Sequence, residues 1–218
     1  MLRDALSTVM NAEERGRARR FVRDHDKHSF VVAHGCLRLL LAAMLGAPPM
    51  AFEFSVGPFG KPCLAQDGEV EFNMSHSGGI VLIGFAHGMA FGIDVEARRP
   101  MSDRSAIVRR YFHPGEAADF ATVPDDRAED AFFRCWSRKE AVVKALGVGM
   151  SLDLDRYRVT CIPTAAPELL ALDGEAAPSA DWSILDLDPG PNHVGAVAAR
   201  RQPLAVDCFT FHPSSAPP

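Results

Sequence analysis

Apolar positions recur with a helical period in some stretches of the chain and alternate in others. Residues 12–45 pass from an arginine-rich segment, EERGRARRFVRDHDK, into the apolar FVVAHGCLRLLLAAML, closed by Gly46 and two prolines; two helices or one kinked helix fit this pattern. VEFNMSHSGGIVLIGFAHGMAFGIDVE alternates and breaks at glycines, which predicts an antiparallel meander with strands near 70–74, 80–86 and 90–96. Beyond Pro100 the spacing predicts helices near 102–111, 114–121 and 126–146, then strands in RYRVTCI, ELLALD, WSILDLD and HVGAVAARR. Helix followed by strands thus occurs twice. This order predicts an α+β fold of two similar halves, 1–99 and 100–211, and a flexible Pro/Ser-rich tail at 212–218.

One helix breaks its own pattern. In FFRCWSRKEAVVKALG, residues 132–147, Phe132, Cys135, Trp136, Val142, Val143 and Leu146 form an apolar arc; Lys139 falls inside it, and Glu140 and Lys144 border it beside Phe133. A surface i, i+4 pair would stand opposite the arc. A half-buried lysine needs a partner charge, so Lys139 is expected to face a ligand or a cleft carboxylate.

Composition narrows the setting. With 218 residues, 47% hydrophobic and 23% charged, the chain is too apolar for disorder and long enough for a sizeable core. A net charge of −5 argues against a protein that coats nucleic acid. Five cysteines with no C-x-x-C spacing suit reduced thiols in a cytoplasm. The N-terminus lacks the apolar core of a signal peptide, and the apolar run CLRLLLAAMLGA is too short to span a bilayer, so neither targeting nor anchoring is expected.

Three short stretches carry chemistry. In AFGIDVE, alternation puts Asp94 and Glu96 on one strand face about 7 Å apart, half a site for a hard divalent cation, although a lone D-x-E is more often a strand with one wet face. In FNMSHSGG, Ser75 and His76 precede a Gly-Gly turn where hydroxyl, imidazole and backbone N–H groups can meet a phosphate; a satisfied turn histidine is the plainer account. In FGKPCL, Gly60 and Pro62 restrict the reach of Lys61, which could equally be a solvated turn lysine.

Taken in order, FGKP at 59–62, FNMSHS at 72–77, GIDVE at 92–96 and WSRKEAVVK at 136–144 resemble the 4'-phosphopantetheinyl transferases of the surfactin-synthetase-activating, W-x-x-K-E-A type. The resemblance covers roughly residues 15–160. It implies a monomeric pseudo-dimer of two α+β halves with the active site at their interface. It further implies that Asp94, Glu96 and Glu140 hold Mg²⁺, or Mn²⁺, together with the pyrophosphate of coenzyme A. Glu140, or a water beside it, would act as general base on a serine hydroxyl of an apo carrier protein. Lys144 and His76 would meet charge on the departing phosphate, 3',5'-ADP would be released, and Lys61, Ser75 and His76 match positions that contact coenzyme A.

Early in the chain the family places basic residues and a small hydroxyl against the 3'-phosphate and adenine. Here RRFVRDHDKHSFVVAHG offers Arg19, Arg20 and Lys27, with Arg38 shaping the wall and Phe30 where a threonine is expected. Carrier proteins expose acidic helices, so Arg98, Arg99, Arg104, Arg109 and Arg110, with Tyr111 and Phe112, form the expected docking edge. Two other classes compete. A serine hydrolase built on Ser75 or Ser77, His76 and Asp94 lacks G-x-S-x-G, and a non-catalytic coenzyme A or carrier-binding module would not need three carboxylates.

Overall fold

A computed structural model of the chain describes residues 2–65, 69–173, 175–176 and 181–212. Contacts divide it into two units: one formed by the described residues of Met1–Ser55, Leu64–Gly68 and Ala205–Pro218, the other by those of Val56–Cys63 and Glu69–Leu204. The division expected at 99/100 falls inside the second unit. The predicted tail lies, apart from His212, outside the described residues.

In the first unit, α1 (Leu2–Thr8) and α2 (Ala12–Arg19) precede α3 (Asp24–Leu45). Asn11 and Glu14 cap α2 reciprocally, each side chain bonded to the other's backbone N–H at 2.9 Å. Glu14 also accepts from Arg38 Nε at 2.7 Å, and the fully buried Arg38 guanidinium donates to Pro49 O and Phe52 O. Arg38 is therefore a core residue and not a ligand-facing wall. Phe30 is buried as well, its ring packed at a tilt against those of Phe21 and His34 with Arg17 over it, so the position where a hydroxyl was expected is filled by packing. At 22 residues α3 is longer than its apolar run, and by length and composition it could cross a membrane. Its buried Arg38–Glu14 pair is what a core helix carries.

The hairpin of β1 (Phe54–Val56) and β2 (Pro62–Leu64) carries the FGKP turn. In the second unit, β3 (Val70–Ser77) and β4 (Ile80–His87) pair antiparallel, with Ser77 opposite Ile80. The expected meander stops there. Strand β5 (Phe91–Ala97) is laddered instead to β10 (His193–Ala199), which pairs on its other edge with β9 (Ser183–Leu187). The reason is visible in β3: Asn73 Oδ1 takes the Ile93 N–H at 2.8 Å, and Ser77 Oγ takes that of Ala97 at 3.1 Å, so side chains stand where a backbone ladder would run.

Along the chain between β5 and β9 come α4 (Arg104–Tyr111), α5 (Pro114–Phe120) and α6 (Asp125–Leu146), followed by the small sheet of β6 (Tyr157–Val159), β7 (Leu169–Leu172) and β8 (Glu175–Ala176). Mixed helices and antiparallel sheets agree with the α+β expectation. Alternation sorts the central sheet. Phe91, Ile93, Val197 and Ala199 pack with Leu82 and Ala86 of β4, while Val194, Ala196 and Ala198 join Phe132, Phe133, Cys135 and Val142 of α6. Gly92, Asp94 and Glu96 share the α6 side, opposite Ala198, Ala196 and Val194. Gly92 is what lets helix and strand meet: a Cβ there would lie 2.1 Å from Ala141 O and 2.4 Å from Ala145 N.

Candidate functional site

The FGKP turn is made by Gly60, whose φ of +92° suits only glycine, with Gly57 N–H bonded to Lys61 O at 2.8 Å. This turn forms one wall of a cleft of about 650 Å³. The other walls are Asn73 and Met74 of β3, Arg110 and Tyr111 closing α4, Trp136, Glu140, Val143 and Lys144 of α6, and Gly147, Gly149 and Leu152–Asp155 beyond it. Lys61, Glu140 and Lys144 all line it. Lys61 Nζ donates to Phe91 O at 2.9 Å, and burial lowers its pKa.

Lys144 ties the motifs together. Its ammonium donates to Asp94 Oδ1 at 2.7 Å, to Ser75 Oγ at 3.1 Å and to Ile93 O at 3.2 Å; Ser75 Oγ in turn donates to the same Asp94 oxygen at 2.8 Å. Lys144 thus joins β3 and β5 across the strand pair instead of forming a surface pair with Glu140. Glu96 Oε2 accepts from Ser77 Oγ at 3.1 Å and lies 3.8 Å from Arg99. Burial, then the like charge of Asp94, pushes the pKa of Glu96 up, and the same two causes raise that of Glu140. Both effects identify Asp94 as the common neighbour of the two glutamates.

Among the described residues no three His, Cys, Asp or Glu side chains are drawn into a ready metal-ligand set. Yet the donors suit a hard cation, being all oxygen, and Asp94 Oδ2 is buried with no hydrogen-bond partner. An orphaned carboxylate oxygen between two glutamates whose ionisation is disfavoured is chemically fit for added positive charge.

Other expected residues fall elsewhere. His76 is exposed on the face of β3 opposite Ser75 and Ser77, and it does not line the cleft. That geometry removes the serine hydrolase, since Ser75 Oγ donates to Asp94 and points away from His76. Arg19 and Arg20, at the end of α2, and Lys27, in the first turns of α3, belong to the first unit. Lys139 is a correction: it is fully buried and bonded to both oxygens of Glu116 at 2.8 Å, in the interior instead of the cleft, because the arc it interrupts is the core face of α6. Phe112 is another, being 3% exposed and stacked on Phe132, which takes it out of any docking edge. Along that edge Arg99, Arg109 and Arg110 are exposed, Arg104 donates to Met101 O, and Arg98 pairs with Asp130 at 2.6 Å. Sequence reading missed Asn73 and the 152–155 wall; an asparagine inside an apolar strand was the one available signal.

Comparison with known proteins gives this constellation its class. A family model described as 4'-phosphopantetheinyl transferase superfamily matches residues 90–198, and one described as 4'-phosphopantetheinyl transferase, N-terminal, matches residues 2–87. The 4'-phosphopantetheinyl transferase HetI of Nostoc sp. is 34% identical over 196 residues, covering 88% of this chain and 79% of that protein. The 4'-phosphopantetheinyl transferase Sfp of Bacillus subtilis is 32% identical over 152 residues, covering 70% and 66%. Among solved structures, a holo-[acyl-carrier-protein] synthase of Thermotoga maritima aligns with 51% of this chain and 62% of its own at 20% identity, with a TM-score of 0.37, too faint a likeness to build on. The chain is a transferase. It belongs to the 4'-phosphopantetheinyl transferase superfamily.

Proposed function

We propose that the chain transfers the 4'-phosphopantetheinyl arm of coenzyme A to a serine hydroxyl of an apo carrier protein and releases 3',5'-ADP. The observation that carries this reading is Lys144. It binds Ser75 and Asp94 while lining, with Lys61 and Glu140, one cleft, so all four sequence motifs converge on a single place. Asp94, Glu96 and Glu140 would hold Mg²⁺, or Mn²⁺, which supplies positive charge to the pyrophosphate when bound.

The chain's own residues account for the rest. Glu140 takes the proton of the carrier serine, a task suited to a carboxylate whose pKa burial and Asp94 raise. The serine oxygen forms a bond to the β-phosphorus of coenzyme A, and the bond from that phosphorus to the bridging oxygen breaks, leaving the electron pair on 3',5'-ADP. Lys144 and Lys61 lie in the cleft to meet phosphate charge. His76, exposed at the strand end outside the cleft lining, is assigned to the departing phosphate as it leaves. Arg19, Arg20 and Lys27 are assigned to the 3'-phosphate. The exposed Arg99, Arg109 and Arg110, with Arg98, Arg104 and Tyr111, receive the acidic carrier. The enzyme acts as a monomer in the cytoplasm, a compartment that suits five cysteines with no C-x-x-C spacing. The test is direct: with coenzyme A and Mg²⁺, a panel of apo carriers is weighed. One phosphopantetheinyl increment on a carrier supports the reading, and none across fatty-acid, polyketide and peptide carriers sinks it.

A further inference from the structure

Glu116 is fully buried in the first turn of α5, and none of the chemistry above uses it. Its carboxylate accepts on every side. Oε1 takes the Val159 N–H at 2.7 Å and Lys139 Nζ at 2.8 Å; Oε2 takes the His113 N–H at 3.0 Å and Lys139 Nζ again at 2.8 Å. Lys139 is equally buried and donates onward to Tyr157 O at 2.8 Å, with its ammonium 4.1 Å from the centre of the Tyr157 ring. Tyr157 closes the loop by donating its hydroxyl to Lys139 O at 3.3 Å.

Three segments therefore meet on one charge pair, and each runs straight into a cleft wall. Arg110 and Tyr111 immediately precede Phe112 and His113; Leu152–Asp155 end just before Arg156 and Tyr157; Lys139 is followed by Glu140. Apolar side chains could fill this interior and bury it as well, but they would not fix how far each segment slides past the others. Directional bonds donated to one carboxylate by two backbone N–H groups and an ammonium, which itself donates to a third backbone, do fix it. Buried ion pairs add little stability over apolar packing, and their best-attested use is to specify one arrangement.

We propose that the Glu116–Lys139 pair is a positioning device that sets the spacing of the cleft walls around Glu140, and through it the binding of coenzyme A. The proposal rests on the transferase reading of the cleft. Lys139→Ala would strand a buried carboxylate and so confound positioning with loss of folding; the decisive variant is Glu116→Gln with Lys139→Met, which removes both charges while keeping an amide oxygen for the Val159 N–H and a side chain of similar reach. Two measurements are made well below its melting temperature: KM for coenzyme A in carrier modification, and acrylamide quenching of Trp136, which lines the cleft, in a Trp182→Phe background.

The expected result is a folded protein whose KM for coenzyme A rises by about tenfold or more, with Trp136 quenched more readily. A pair that only held the fold together would lower the melting temperature and the amount of active enzyme. It would leave the KM of the folded fraction and the quenching of Trp136 unchanged, and that outcome overturns the proposal. Should the unmodified chain neither bind nor consume coenzyme A, the transferase reading falls by itself. Trp136 quenching then decides the positioning claim alone, an unchanged value refuting it.

Discussion

Replacing Gly92 by alanine tests whether α6 must touch β5 for the site to exist. The added Cβ would stand 2.1 Å from Ala141 O, 2.4 Å from Ala145 N and 2.7 Å from Lys144 Cβ. Ordinary contact begins near 3.4 Å, so the closest atom is short by 3.4 − 2.1 = 1.3 Å, and two of the three atoms are helix backbone with no rotamer to yield. Helix and strand must separate by roughly that amount. Overpacking of this kind costs about 3 kcal/mol, the upper end of its usual range. For a chain of this length that lowers the melting temperature by about 6–12 °C. The larger consequence falls on the site, because Lys144 holds Asp94 at 2.7 Å and would be carried away with the helix. A displacement of about 1 Å at reacting groups costs about 10²-fold in rate. Thermal melts and the carrier mass shift measure both, with Gly16→Ala as control, since nothing lies within 4 Å of a Cβ there. A Gly92→Ala protein that melts and transfers normally would show that the α6–β5 contact is not what assembles the cleft.

Asp94→Ala should lower transfer by orders of magnitude and abolish its response to added Mg²⁺; near-normal transfer in chelator would dismiss the metal assignment. Glu140→Gln should reduce kcat by about 10² or more with the melting temperature nearly unchanged, whereas a small stability loss at full rate would make it an ordinary helix residue. Reversal of Arg109 and Arg110 to glutamate should raise KM for the carrier far more than for coenzyme A, and equal effects on both would point to a damaged fold. In the first unit, burial works against ionised Glu14, but bonds from His34, the Asn11 backbone and Arg38 outweigh it and lower its pKa below the ordinary 4.5. Its contribution to stability is therefore complete above about pH 4.5 and lost as pH falls through the lowered value, so melts between about pH 6 and 3 should show an acid limb that Glu14→Gln makes shallower, the remainder belonging to groups such as Asp130 whose pKa is also lowered.

Helices and strands were legible where periodicity was strong. The α6 arc, the strand breaks at Gly78–Gly79 and Gly88, and the common face of Asp94 and Glu96 all follow from counting residues. The partner of β5 was not. Consecutive strands usually pair, and nothing in Phe91–Ala97 announces that Asn73 and Ser77 will offer side chains where a ladder was expected. Lys139 shows the same limit from the other side: its place in an apolar arc correctly demanded a partner charge, but only tertiary structure could select Glu116, 23 residues away, over a ligand. Phe112 looked like docking surface because it follows Arg109, Arg110 and Tyr111, and it turned inward because α4 ends there. The cleft itself was assembled from four motifs in order, while its far wall at 152–155 has no pattern that marks it.

The pairing of β5 with β10 also shapes how the chain comes into being. Ala97 meets His193 and Phe91 meets Ala199, separations of 96 and 108 residues. At ribosomal speeds of about 5–20 residues per second, β5 leaves the tunnel about 5–20 s before its ladder partner exists. Through that interval Phe91, Ile93 and Val95, buried in the finished protein, belong to a strand with an open edge, the kind of segment that recruits strands from other chains. A nascent chain halted before His193 would carry all four sequence motifs and still lack the strand that seats its D-x-E segment. Yield in a cell would then depend on holdase chaperones more than the stability of the completed protein suggests.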